Sequence, residues 1–418
     1  MNLKSGFRYA SILAVLLPLA ACGGSSNSSS GGGATGNPST PSGPNVVPVV
    51  ANEGVTQDYT NGLFTTVTVC VPGTTNCTTI NNVLVDSGSY GLRLLDSQLA
   101  NLPLPASNAP GGNPLYECAQ YVSSYTWGSV ATADVKIGGE TASSVPIQVI
   151  QDQATSPSAP SSCSAGGSLV ENDTQTDLGA NGILGISVFR YDCGPQCSSD
   201  EGGTASESEY YSCPSSGCTQ ALIPIAGEVQ NPVALFSADN NGELIEVPAV
   251  LSLGAPSVNG YLVFGIGTES NNSLVGETVL GADEYGGFET EFDDKLYQES
   301  VFDSGSNAIF FLDSQTLGNM PLCAQPNDGF YCPGATVHYT ATNISADGSV
   351  SATATWSVAN AQNLFDGGNW VFNNLAGPNP DNFDFGLAFF FGRTIAIGLN
   401  GTQASSGGNT YIGPFYGY

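Results

Sequence analysis

From residue 46 onward the apolar positions come in short alternating or β-branched runs. Thr65-Thr66-Val67-Thr68-Val69, Val83-Leu84-Val85, Val145-Pro146-Ile147-Gln148-Val149, Tyr261-Leu262-Val263-Phe264 and Thr394-Ile395-Ala396-Ile397 are examples, separated by Gly, Pro, Asn and Ser. Period-two alternation places successive side chains on opposite faces of a strand, so these runs predict β-strands. Long windows with a 3.6-residue apolar period are almost absent, and 53 glycines work against helices. The chain is therefore expected to be mainly β. About 370 residues follow the N-terminal leader, more than one core usually supports, so two lobes are expected, over 46–230 and 231–418.

The leader has a different pattern. Lys4 and Arg8 precede an apolar run, Ile12 to Leu19, that ends at Leu19-Ala20-Ala21-Cys22. The run is too short to span a bilayer and stops in small residues, which predicts a secretory signal over 1–22. Leu-Ala-Ala-Cys also resembles the lipobox of bacterial lipoproteins, which implies that Cys22 becomes the lipidated first residue. With Gly at position 23, the usual sorting pattern implies an envelope protein of the outer membrane. Residues 23–45 are almost entirely Gly, Ser, Asn, Thr and Pro. Such a composition cannot bury enough apolar surface to order itself and predicts a flexible tether.

Eleven cysteines become an even ten once Cys22 is set aside, and an exported chain meets an oxidising compartment. Five disulfides are expected. Cys70 with Cys77, and Cys323 with Cys332, are close enough for local bridges, whereas pairing among Cys193, Cys197, Cys213 and Cys218 stays open. These four lie in an acidic, polar stretch over 187–228, longer than a connector requires, which suggests a disulfide-stapled insertion.

The formal net charge of −29 excludes nucleic acid as a partner, because phosphate binding needs clustered Lys and Arg. The single histidine, His338, lies in the alternating run Thr336-Val337-His338-Tyr339-Thr340 and reads as a strand surface residue. Histidine-dependent nucleophilic catalysis and a zinc site both lose their usual ligand or base, so no metal or cofactor is expected. Asp384-Phe385-Gly386 matches a kinase motif, but with no Gly-rich phosphate loop it reads as coincidence.

An internal repeat organises the chain. Asp86-Ser87-Gly88-Ser89 is followed five residues later by Leu95-Asp96-Ser97-Gln98, and Asp303-Ser304-Gly305-Ser306 by Leu312-Asp313-Ser314-Gln315 at the same spacing. Each copy follows a β run, Val83-Leu84-Val85 or Ser300-Val301-Phe302. One Asp-Ser-Gly is a common turn. Two, at the ends of equivalent strands, predict a pseudo-twofold arrangement that brings both aspartates to the lobe interface. Two carboxylates at hydrogen-bonding distance cannot both ionise comfortably, so they share a proton. The ionised member can then act as general base while the protonated one polarises a carbonyl.

These residues resemble the pepsin-like aspartic peptidases, from about residue 60 to the C-terminus. Val83 to Leu92 resembles the first active loop and Val301 to Ser306 the second. Tyr125-Thr126-Trp127-Gly128-Ser129 resembles the flap hairpin, Asn181 to Ile186 the element behind the first loop, and Phe385-Gly386-Leu387 its looser counterpart. The resemblance implies two pseudo-symmetric β-barrel lobes with a cleft between them and a catalytic pair Asp86 and Asp303. It further implies that Ser87 and Ser304 bridge the loops, and that Ser89 and Ser306 orient the carboxylates beside Gly88 and Gly305. Tyr125 is then the flap tyrosine, with Trp127 inside the flap adding bulk over the substrate. Arg93 stands where many members carry a tryptophan and is expected at the rim or in solvent. The implied activity is hydrolysis of a peptide or unfolded protein by a lipid-anchored monomer. A binding or structural lipoprotein that keeps the fold without turnover is the alternative.

Overall fold

The computed structural model describes residues 41–99, 101–152 and 156–418. The signal sequence, Cys22 and residues 23–40 of the expected tether lie outside them. Of residues 41–45, Pro41 and Asn45 are buried and Ser42, Gly43 and Pro44 are exposed. Asn45 is buried and donates to the Phe264 carbonyl (2.9 Å) and to Asn271 Oδ1 (3.0 Å), and Gly139 N donates to Pro44 O (2.7 Å). Asn45, at the end of the expected tether, is thus anchored by buried hydrogen-bond partners that composition does not reveal.

The architecture is mainly β. The N-terminal half contains β1 (Val46–Asn52), β2 (Gly62–Cys70), β3 (Cys77–Asp86), β4 (Tyr90–Leu95), β5 (Leu115–Gln120), β6 (Ser124–Ile137), β7 (Glu140–Ile150), β8 (Val170–Glu171), β9 (Gly182–Ile186), β10 (Tyr210–Ser212) and β11 (Thr219–Gln220). The C-terminal half contains β12 (Gly242–Val247), β13 (Val258–Phe264), β14 (Val279–Gly281), β15 (Phe288–Phe292), β16 (Lys295–Asp303), β17 (Ile309–Leu312), β18 (Val337–Ile344), β19 (Ser351–Val358), β20 (Ala376–Gly377), β21 (Asn379–Gly386), β22 (Arg393–Gly398), β23 (Gln403–Ser406), β24 (Asn409–Ile412) and β25 (Phe415–Gly417). Helices are single turns such as Gln175–Leu178 and Leu387–Phe390.

Each half builds one three-strand unit around its aspartate. β3 runs parallel to β9, which pairs antiparallel with β4; β16 runs parallel to β21, which pairs antiparallel with β17. Asp86 lies in register with Gly185, and Asp303 with Gly386. Both glycines are sterically required, since a Cβ on Gly185 would meet the Tyr90 backbone and one on Gly386 would come within 2.6 Å of Ser306 O. The turn after each aspartate folds back against that bare backbone.

The halves are joined by a shared sheet. β1 pairs with β2 on one side and with β13 on the other, and the order continues through β12, β22, β25 and β14. The first strand of the described chain is thus held between the N-terminal β2 and the C-terminal β13. Cores differ in composition: Val67, Val83, Leu94, Ile147 and Leu184 fill the first half, whereas the second clusters Phe302 with Phe288, Phe385 and Phe389 at ring centroids of 4.8 to 6.1 Å. Burial of such side chains is the main favourable term, about 25 cal/mol per Å² of apolar surface.

Among the described residues five disulfides form, Cys70–Cys77, Cys118–Cys163, Cys193–Cys197, Cys213–Cys218 and Cys323–Cys332. They include both local bridges expected from sequence and settle the four open cysteines as two further local pairs. His338 is exposed on β18, with Nδ1 2.8 Å from Ser357 Oγ.

Candidate active site

Strand β3 ends at Asp86 and β16 at Asp303, and both following turns bond their own aspartate. Gly88 N donates to Asp86 Oδ1 (2.9 Å) and Ser89 Oγ to Oδ2 (2.5 Å). Gly305 N donates to Asp303 Oδ1 (2.8 Å) and Ser306 Oγ to Oδ2 (2.7 Å). The turns then lock to each other. Ser304 N donates to Ser87 Oγ (2.8 Å), whose hydroxyl donates to Phe302 O (2.9 Å); reciprocally, Ser87 N donates to Ser304 Oγ (3.1 Å), which donates to Val85 O (2.8 Å). Both serines are fully buried, so each bond has no competing water.

This clamp brings Asp86 and Asp303 into hydrogen-bond contact. The absence of side chains at Gly88 and Gly305 makes room for it: a Cβ on Gly88 would lie 2.5 to 2.7 Å from the Asp303 carboxyl atoms, and one on Gly305 would collide with Asp86. Burial and the charge and hydrogen bond of Asp303 push Asp86 up to about 7, against the opposing hydrogen bonds from Ser89 and Gly88. A pair so arranged holds one proton over a wide pH range and can present an acid and a base together.

The pair lies in a cavity of about 620 Å³. Leu84, Leu178 and Ile183 give one wall its apolar character, and the tip of the β5–β6 hairpin gives another. That tip is closed by Tyr121 N donating to Ser124 O (2.8 Å), with Val122 98% exposed above it. Tyr121 faces the cavity, and burial together with the charge of Asp86, partly offset by Arg93, pushes its hydroxyl up to about 12.

Tyr125 and Trp127, the residues expected over the substrate, do not line this cavity. Strand alternation turns both to the opposite face of the hairpin, where they pack with Tyr211 and the Cys118–Cys163 bridge. Trp127 stacks on Tyr116 at 5.2 Å and donates Nε1 to Pro157 O (2.8 Å). Tyr121 therefore takes the place expected for Tyr125. The signal was available: Tyr121 lies beside the Val122-Ser123 turn, and its side chain falls on the inner face when Tyr125 is outside.

Arg93 is a second correction. It is 2% exposed, and its guanidinium pairs with Glu117 (2.6 Å), Asp192 (2.9 Å) and the Tyr90 carbonyl. A buried guanidinium needs compensating anions, and the 187–228 segment supplies one of them. Its strand β10 extends the hairpin by pairing with β5, Tyr210 opposite Glu117, and carries Glu209 to the cavity wall beside Asp192. Oxygens of Glu117, Asp192 and Glu209 lie within 4.8 Å of one another, a spacing that could suit a metal, but Arg93 already occupies two of the three groups.

Sequence reasoning also passed over Asp384. Phe385 and Gly386 pair with the strand carrying Asp303, and the half-buried Asp384 lines the cavity. Burial and the charge of Asp303 push its carboxyl well above the usual range, against a hydrogen bond from Ser306. The motif set aside as coincidence is the second copy of Ile183-Leu184-Gly185, with an acid where the first has isoleucine.

A family model described as Protein of unknown function (DUF3443) matches residues 41–418. No curated protein matches the chain. Among solved structures, the crystal structure of aspartic proteinase from Irpex lacteus is similar at 14% identity with a TM-score of 0.47, over 89% of this chain and 96% of that chain. That similarity is weak, and the geometry around Asp86 and Asp303 stands without it.

Proposed function

We propose that this chain, which belongs to the family described as Protein of unknown function (DUF3443), is an aspartic-type hydrolase of peptide bonds. The observation that carries the reading is the reciprocal serine clamp, which holds two carboxyl groups in hydrogen-bond contact on the floor of an open cavity. In this reading one proton serves the pair. The ionised carboxylate takes a proton from water as the water oxygen bonds the scissile carbonyl carbon, and the protonated carboxyl gives its proton to the carbonyl oxygen. Return of a proton to the amide nitrogen then lets the C–N bond break. Tyr121 and Val122 on the hairpin cover an extended peptide, and the apolar wall of Leu84, Leu178 and Ile183 receives one of its side chains.

The test is cleavage of an unfolded protein between acid and neutral pH by the full chain, Asp86→Asn and Asp303→Asn. Each variant is expected to lose about 10³-fold or more in kcat/KM, as removal of a positioned acid or base does. Equal cleavage by all three would sink the pair. No cleavage by the wild-type chain would leave a peptide-binding envelope protein as the function. We also propose anchoring on the outer membrane of a bacterial envelope through lipid on Cys22, supported by Leu19-Ala20-Ala21-Cys22. Metabolic labelling with a fatty acid should mark the wild-type chain and not Cys22→Ser.

A further inference from the structure

A recess beside the cavity gathers three carboxyl groups, Glu117, Asp192 and Glu209, around a single cation. Arg93 binds one oxygen of Glu117 and one of Asp192, and the second oxygen of Asp192 is taken by the Tyr210 hydroxyl (2.7 Å) and Cys193 N (2.9 Å). One acceptor is left over at the cavity. Glu117 is fully buried and shares a hydrogen bond with Asp192. The Glu209 carboxylate receives no hydrogen bond or ion pair among the described residues, although it lines the same cavity as Asp86. Burial and the charge of Asp192 push Glu209 up to about 8 despite Arg93. A carboxyl group that lines the cleft without a donor of its own favours a cation that can reach it, because the cation stabilises its ionised form and takes up its hydrogen-bonding capacity.

Two kinds of cation could do so. A calcium-like ion needs six or more oxygens and a smaller ion a near-ideal octahedron. With Asp192 fully used and one oxygen of Glu117 held by Arg93, the recess offers too few. An ammonium on a flexible stem needs at most three acceptors and brings its own aliphatic chain to pack along the cavity. We infer that this recess is a specificity subsite for a basic side chain, lysine above all, of the peptide in the cleft, with Glu209 as the residue that selects it. The inference rests on the reading of the cavity as a peptide-binding cleft. It divides that cleft into an apolar wall at Leu84 and Ile183 and an acidic recess at Glu209, so adjacent positions of one peptide meet opposite chemistry.

The test measures binding apart from turnover. A fluorescent hexapeptide series carries one lysine at each position in turn, against matched peptides with norleucine, which has a similar stem and no charge. Equilibrium affinity near pH 7 is measured for the full chain, Glu209→Gln and Glu209→Lys, each checked for a single cooperative unfolding transition well above the assay temperature. One position is expected to favour lysine by about 10-fold in the wild type, the value of a hydrogen bond to a charged group. The preference should fall to about 2-fold or less in Glu209→Gln and vanish in Glu209→Lys, whose own ammonium fills the recess. The norleucine peptides set the baseline for each variant, so the reading is the ratio of lysine to norleucine affinity within that variant.

No lysine preference at any position, or one that persists in Glu209→Gln, would overturn the inference. So would stabilisation of the wild type by calcium or zinc alone, lost in Glu209→Gln, which would assign the recess to a metal. A chain that shows the lysine preference yet cleaves none of the series would overturn the peptidase reading and leave the subsite standing. Cleavage without the preference would do the reverse.

Discussion

The half-site around Asp86 and the half-site around Asp303 share a backbone but keep their charge on different strands. In the first, Arg93 on β4 pairs in register with Ile183 on β9; in the second, Phe310 on β17 pairs with Asp384 on β21. Arg93 and Phe310 each follow their aspartate by seven positions, and Ile183 and Asp384 each precede the paired glycine by two. One half therefore sets a cation against an apolar residue and the other an apolar residue against an acid. Backbone symmetry brings the two carboxyls together, and the unsymmetrical charges decide how tightly the pair holds its proton.

The most disruptive way to break this contrast is to make the first half like the second. Arg93→Phe strands Glu117 and Asp192 without their cation, and removing one partner of a buried ion pair costs about 3–5 kcal/mol. Urea denaturation near pH 7 should show that loss. Adding Glu117→Gln should recover part of it, because the amide carries no charge to leave unpaired. A loss below about 1 kcal/mol would mean that the recess relaxes around its acids and that Arg93 is dispensable to the fold.

The hairpin separates the faces of the first half next. Tyr121→Ala removes a side chain that covers the cavity and should lower kcat/KM by about 10- to 100-fold, the scale of lost substrate positioning. Tyr125→Ala opens the outer aromatic cluster instead and should cost stability, about 2–4 kcal/mol, with KM unchanged. If the kinetic loss followed Tyr125, the face assignment would be reversed.

Stability against pH sharpens the comparison further, because the first half holds most of the strained acids. Burial, with neighbouring acids, pushes Glu209 and Glu228 to about 8, and Asp86 to about 7 through burial and Asp303; in the shared sheet, burial and Glu277 push Glu246 to about 7. An unfolded carboxyl titrates near 4. Between that value and about 8 the folded chain binds more protons than the unfolded one, so stability is full at about pH 4 and falls as pH rises. Urea midpoints at pH 4.5, 6 and 8 should decline in that order, and Glu246→Gln should flatten the decline. A midpoint that rises with pH would contradict the burial of these groups.

The duplicated loops were legible in sequence because Asp-Ser-Gly-Ser recurs with its downstream Leu-Asp-Ser-Gln, and a period-two pattern gave the strands that carry them. What escaped depends on facing. Tyr125 and Tyr121 lie four positions apart across a turn, and only the turn between them decides which one looks inward. Arg93 reads as a surface residue because its anions, Glu117 and Asp192, come from β5 and from an irregular segment far along the chain. Asp384 was hidden by the opposite error, a match to an unrelated motif that drew attention from its alignment with Ile183.

That alignment supplies the finest test of the asymmetry. Asp384 lies near Asp303, and as pH rises its ionisation adds a negative charge beside a pair that must keep one proton. A negative neighbour raises the pair's hold on that proton, so Asp384→Asn should release it sooner. The alkaline limb of the kcat/KM profile should move to lower pH, while the acid plateau stays within about 3-fold, since amide and protonated carboxyl are both neutral and similar in shape. Asp384→Ile, which installs the residue of the first half, should move the limb the same way. A limb that stays in place in both variants would mean that Asp384 keeps its proton throughout, and that the two halves differ around the pair in shape and not in charge.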